Sequence, residues 1–149
     1  MKVRLAQPAD APAVASLMAQ LADHATGNPD ADVEGRLCAM LMRPDQAVFV
    51  AEDEAGRVIG LLSVGHRPTL WHSGPSALID ELVVAATARK RGVGRALIAA
   101  AFDWARAAGC SEIGVSTEFA NAPARAFYCR VGFDEEALLL EHHFPRSEP

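Results

Sequence analysis

Arg89, Lys90, Arg91, Gly92, Val93, Gly94 and Arg95 gather four cations and two glycines within seven residues. They stand between a strand-forming run, Leu78 to Val84, and a helical pattern that continues through about Ala108. Such a junction reads either as an anion site or as a solvated basic helix cap with two turn glycines. The first four N–H groups of a helix lack intrahelical partners, and the summed peptide dipole leaves partial positive charge at that end, so an anion there satisfies donors and field together. Without Cβ atoms, Gly92 and Gly94 let the chain bring successive N–H groups within reach of a diphosphate. The local charge opposes a formal net charge of −5 for the whole chain.

Two familiar phosphate loops do not fit. A P-loop requires Gly-x-x-x-x-Gly-Lys-Ser/Thr, and a dinucleotide fold requires Gly-x-Gly-x-x-Gly with an acidic residue about 20 positions on. The spacing Arg89-x-x-Gly92-x-Gly94 matches neither. Further along comes Asn121, Ala122, Pro123, Ala124, Arg125, Ala126, Phe127, Tyr128, Cys129, Arg130, Val131, Gly132, Phe133, which holds the only tyrosine of the chain. Asp80 and Glu81 sit in mid-strand, where a carboxylate needs a partner or a wet cleft. Side chains alternate along a strand, so without a bulge only one of the two lines any given cleft.

Around these residues the elements alternate. A strand opens at Lys2 to Ala6, and Asp10 reads as the N-cap of a helix running to about His24, with Pro12 in its first turn. Gly27, Asn28 and Pro29 break that helix, a second spans Asp32 to Met42, and Pro44 ends it. Ala47 to Glu52 and Arg57 to His66 read as a hairpin around the turn Glu54, Ala55, Gly56. After a loop from Arg67 to Pro75 come the acidic strand, the helix from Gly92, a strand at Ser111 to Thr117, a helix at Ala122 to Arg130, and a last strand near Glu136 to Phe144. The expected class is α+β.

The two motif segments together resemble the GNAT superfamily of acyl-CoA N-acyltransferases. Arg89-x-x-Gly92-x-Gly94 is similar to the family loop that grips the pyrophosphate of coenzyme A, and Asn121 through Phe133 to its Asn…Ala-x-x-Phe-Tyr-x-x-x-Gly-Phe helix and turn. The resemblance extends to the opening strand and to Pro8, Ala9, Asp10. It implies a GNAT-type fold, a central mixed, mostly antiparallel sheet with helices on both faces. It implies one N-acetyltransferase domain over residues 1–149, acetyl-CoA as co-substrate and no metal. By this resemblance Arg89, Arg91, Gly92, Val93, Gly94 and Arg95 bind the cofactor's diphosphate. A bulge would splay the acidic strand from the strand at 111–117, so that N–H groups of Leu82, Val83 and Val84 face the pantetheine arm and thioester. Asn121 either bonds that arm or merely caps its helix. Tyr128 is the implied acid for the departing thiolate, since a phenol near pKa ~10 and a thiol near ~8.5 are matched for proton transfer. Asp80 or Glu81, with Glu81 favoured, or water alone, is the implied base. His66, Trp71 and His72 flank the loop where relatives build acceptor pockets, although a loop tryptophan can equally be a lid on the core.

Size and composition are ordinary for a soluble globule and agree with what the resemblance implies. The chain has 149 residues, 50% hydrophobic and 22% charged, enough for one domain with a core. Met1 to Asp10 lacks the apolar core of a signal peptide, and no stretch approaches the ~20 apolar residues of a membrane span, so a cytoplasmic, non-membrane protein is expected. Cys38, Cys110 and Cys129 are odd in number and scattered, which suits reduced packing residues better than disulfides or zinc. His142 and His143 lack ligand spacing and read as strand residues. No basic stripe interleaved with aromatics suggests nucleic acid. The acceptor is expected to be a small-molecule primary amine, with protein N-terminal or lysine amines as the enzymatic alternative. A non-catalytic acyl-CoA-binding regulatory module is the alternative from another class, and a homodimer is carried over from the family.

Overall fold

A computed structural model describes residues 1–22 and 32–144. The expected end of the first helix near His24 and its breaker at 27–29 lie outside the described residues. The chain divides into two compact units, residues 1–115 and 116–149.

The first unit is built on a five-stranded sheet in sequence order: β1 (Lys2–Leu5), β2 (Gln46–Glu52), β3 (Val58–Arg67), β4 (Ser76–Val84) and β5 (Glu112–Val115). The first four strands pair antiparallel, and β5 runs parallel to β4. Continuous apolar runs in β2 and β3 have the burial of strands covered on both faces, with Ala47 to Ala51 all buried. Helices α1 (Ala11–Ala22) and α2 (Val33–Leu41) supply one cover: Val14, Leu17 and Leu37 pack with Val48, Val50, Leu61 and Val83. The other cover is α3 (Val93–Ala107), whose buried stripe Val93, Leu97, Ile98, Ala101, Ala105 has helical spacing. Gly60 of β3 brings α3 close, because a Cβ there would stand 2.8 Å from Val93 Cγ1 and 3.0 Å from Leu97 Cδ1. The mixed, mostly antiparallel sheet with helices on both faces is thus as expected.

Asp10 is a correction. It closes a short 3₁₀ turn, Pro8–Asp10, and its carboxylate faces back rather than capping α1. Oδ2 accepts the Gln7 N–H at 2.7 Å, and the two oxygens take the Arg4 guanidinium at 2.7 and 2.8 Å. Arg4 also donates to Glu52 Oε1 at 2.8 Å, joining β1, β2 and the start of α1. A cation close in the fold outcompeted the local capping option. Asp10 is 8% exposed, so Arg4→Met should cost ~3 kcal/mol in urea unfolding at neutral pH, the usual scale for stranding a buried charge. Arg4 holds the Asp10 carboxyl below its ordinary range, chiefly by that hydrogen bond. The unfolded chain therefore binds the proton more tightly; the stabilisation is present above about pH 3.9 and is lost as pH falls through the lowered native value. Arg4→Met should flatten that acid limb, and an unchanged limb would remove Asp10 as its source.

The second unit contains α4 (Ala122–Val131), closed by Gly132 in the left-handed region at φ 115°. The last expected strand is not formed: residues 134–144 carry no regular element. Apolar residues give a segment strand propensity but not a partner, and Leu138, Leu139, Leu140 and Phe144 stand exposed. His142 and His143 are accordingly not strand residues; the His142 ring meets Phe144 edge-on at 5.1 Å.

Candidate active site

The register between β3 and β4 breaks at the acidic pair. Ser63 lies opposite Glu81, but Val64 lies opposite Ile79, so Asp80 has no residue facing it: a β-bulge. On its other side β4 pairs with β5 only through Ser76 to Ile79, ending at Val115. From Asp80 onward β4 has no partner on that edge among the described residues. The Ala85 N–H donates to the Ile59 carbonyl of β3 at 3.0 Å, which fixes the alternation. Odd-numbered N–H groups of this stretch face β3, and those of Leu82 and Val84 face the open edge. The expectation for Val83 is corrected accordingly, since its N–H points into the sheet.

Two residues opposite one also ends strict alternation at Asp80 and Glu81. Partial burial, and next the Glu81 carboxylate, push the Asp80 carboxyl above its ordinary value even though its outer atoms meet solvent. Glu81 shares the α1 and α2 face with Leu61 and Val83, two positions along each strand. Its carboxylate Oε2 accepts from the Ser63 hydroxyl. Ser63 was not singled out from sequence; a lone hydroxyl in Leu61, Leu62, Ser63, Val64 is the only trace it leaves.

After β4 the chain turns through Ala86–Ala88, and Gln20 Oε1 of α1 accepts the Ala86 N–H at 3.2 Å. Arg89 Nε donates to the Val84 carbonyl at 3.2 Å, tying the loop to the open strand edge. Lys90 (φ 60°) and Gly92 (φ 83°) are both left-handed, so the backbone coils tightly before α3. Gly92 is the N-cap, just outside the helix rather than its first residue, and no side chain caps that end. The Ala96 N–H returns to the Gly92 carbonyl at 3.0 Å, leaving the N–H groups of Val93, Gly94 and Arg95 as the start of the helix. Arg89, Lys90, Arg91 and Arg95 are exposed around it. An uncapped helix start ringed by four cations fits a diphosphate.

In the second unit Asn121 caps α4, its Oδ1 accepting the Ala124 N–H at 3.2 Å, which is the plainer of its two expected roles. The Tyr128 ring is half-buried, 5.4 Å from Phe127 and edge-on to Phe133 at 5.6 Å. Burial raises its phenol above the ordinary value, so it stays protonated at neutral pH. Cys129 on the same helix is exposed and not a packing residue; Cys38 and Cys110 are partly buried, and all three are unpaired thiols.

The flanking loop is arranged differently from a core lid. Trp71 is 90% exposed, whereas His72 Nε2 lies 3.2 Å from Glu112 Oε1, which also accepts from Ser76 at 2.8 Å. The His66 ring lies against Trp104 of α3, tilted by 40° with centroids 5.2 Å apart. No helix among the described residues is long and apolar enough to cross a membrane.

A splayed, bulged strand followed by an uncapped glycine turn and a long helix is the frame of an acyl-CoA-dependent acyltransferase, and the family match agrees. Residues 15–133 match the acetyltransferase (GNAT) family model, and the chain belongs to that family, the acetyl-CoA-dependent N-acetyltransferases. It is 33% identical to an aminoglycoside N(6')-acetyltransferase type 1 of Klebsiella aerogenes over 69% of this chain and 68% of that one. It is 32% identical to an enzyme of the same description from Stenotrophomonas maltophilia, over 96% and 92%. In fold it is similar to an aminoglycoside acetyltransferase from an uncultured soil sample, solved in complex with sisomicin, with a TM-score of 0.81 and 21% identity over 97% and 96% of the two chains.

Proposed function

We infer that this chain acetylates a primary amine of a small polycationic molecule, by direct attack of the neutral amine on the thioester of acetyl-CoA. The observation that carries the acceptor class is the consecutive acid pair Asp80 and Glu81 standing at the bulge, where β4 leaves β5. Two adjacent carboxylates favour a substrate with more than one ammonium group. The aminoglycoside activities of the relatives support the same class.

In this reading Arg89, Arg91, Val93, Gly94 and Arg95 hold the diphosphate over the backbone of Gly92, and Asn121 contributes to holding the pantetheine arm. The N–H groups of Leu82 and Val84 face the arm and the thioester carbonyl, where they stabilise the developing oxyanion. Glu81 takes a proton from the acceptor ammonium, with Asp80 beside it, and passes it to water. The amine lone pair forms the C–N bond, the C–S bond breaks, and the thiolate takes the phenol proton of Tyr128. The amide nitrogen then loses its extra proton and the phenol is restored, so the products are the acetamide, the free thiol and one released proton. That the family match spans residues of both units supports one catalytic domain. Cytoplasmic work and pairing of two copies are carried over from the sequence reading.

A thiol-release assay with acetyl-CoA and a panel of sisomicin, spermidine, free lysine and an unblocked peptide tests the acceptor. Sisomicin or spermidine should give kcat/KM at least ~10-fold above the peptide, the discrimination expected from one or two extra charge-assisted contacts. Preference for the peptide would move the acceptor to protein amines. Coenzyme A binding without transfer to any of the four would leave a regulatory binding module.

A further inference from the structure

Ser63 is a hydroxyl in an apolar stretch. It lies in β3 between Leu62 and Val64, which expose no surface, and is itself 3% exposed. An unpartnered hydroxyl in that setting costs ~1–3 kcal/mol, so its bonds explain its presence. Both run to one residue. The Ser63 Oγ–H donates to Glu81 Oε2, and the same oxygen accepts the Glu81 N–H at 3.2 Å. One side chain therefore holds Glu81 at its backbone and at its carboxylate.

The place matters as much as the bonds. Ser63 and Glu81 are the last registered pair before the bulge, where the backbone of β4 departs from the regular ladder and its side-chain directions are no longer set by alternation. A glutamate with three side-chain torsions at such a point has rotamer freedom to lose. Engaging Oε2 removes that freedom and leaves Oε1 with no partner among the described residues. A serine whose role was only to be satisfied could bond any nearby carbonyl; this one closes a ring onto the carboxylate.

We propose that Ser63 is a positioning residue for acetyl transfer, holding Glu81 so that its unengaged oxygen, Oε1, receives the acceptor's proton. The inference rests on the reading of Glu81 as the base. The proton leaves the ammonium nitrogen for Oε1, the amine lone pair is freed for the thioester carbon, and Ser63 keeps its own proton throughout.

The test uses the full chain with acetyl-CoA and whichever of sisomicin, spermidine, lysine or the peptide is turned over fastest. Ser63→Ala should lower kcat ~10- to 50-fold with the KM for acetyl-CoA within twofold, a scale short of losing a general base outright. Ser63→Thr, which keeps a hydroxyl, should retain kcat within about threefold. In a Glu81→Gln background Ser63→Ala should add less than about twofold, because the two residues act as one unit. If Glu81→Gln is itself slow but Ser63→Ala leaves kcat within twofold, or lowers it equally in both backgrounds, the positioning role is wrong while the base assignment stands. If Glu81→Gln transfers as fast as the parent, or no acceptor is used at all, the base assignment is wrong and the inference goes with it.

Discussion

Gly92→Trp should leave the protein folded and reduce coenzyme A affinity by more than about 100-fold. The glycine sits at φ 83°, and a Cβ built on it meets nothing within 4 Å. A side chain there has room in the free protein and costs only the left-handed backbone penalty, ~1–2 kcal/mol. Gly92→Ala measures that penalty alone. The indole, in contrast, would project over the uncapped start of α3, where Val93, Gly94 and Arg95 present their N–H groups. Two charge-assisted hydrogen bonds to a diphosphate, at ~1.5 kcal/mol each, already account for about two decades of affinity. Calorimetric titration of coenzyme A into the two variants separates the effects, with circular dichroism as the check on folding. Unchanged affinity in the tryptophan variant would show that the diphosphate is held elsewhere.

Tyr128→Phe should bind coenzyme A within twofold of the parent yet transfer acetyl at least ~100-fold more slowly, about 2.7 kcal/mol of transition-state stabilisation. The ring packing against Phe127 and Phe133 needs no hydroxyl, so the substitution preserves the apolar contacts. Burial keeps the phenol protonated through the neutral range, which is the form an acid must have. Stopped-flow thiol release under single-turnover conditions reads the chemical step directly. A loss below threefold would remove Tyr128 from the mechanism and leave the thiolate to depart unprotonated.

The parts of this protein that were legible in its sequence are those whose physics is local. The glycine turn before α3 declares itself because left-handed dihedrals select glycine, and the basic cluster around it lies in nearly consecutive residues. The stripe Val93, Leu97, Ile98, Ala101, Ala105 repeats with the helical period and could be counted. What escaped depends on partners far apart in the chain. Asp10 looks like a helix cap until Arg4, which the β1–β2 pairing sets beside Glu52, turns its guanidinium to it. A bulge in the acidic strand is expected by resemblance alone; the residues do not show that it falls against β3 at Asp80, nor that Ser63 closes on Glu81. Residues 136–144 show the reverse failure, because the apolar run Ala137 to Leu140 reads as strand-forming, yet it carries no regular element. Val83 was grouped with its neighbours because sequence cannot say which N–H groups a ladder consumes.

The proposed site places a diphosphate where α3 begins and a thioester along the edge that β4 leaves open beyond Ile79. A crystal structure with coenzyme A at saturating concentration tests it most directly. The account predicts diphosphate oxygens within hydrogen-bond distance of the N–H groups of Val93, Gly94 and Arg95, and the pantetheine arm bonded to the N–H of Leu82 or Val84. A cofactor bound with its diphosphate away from that helix start, or with β5 paired to β4 along its full length, would contradict it.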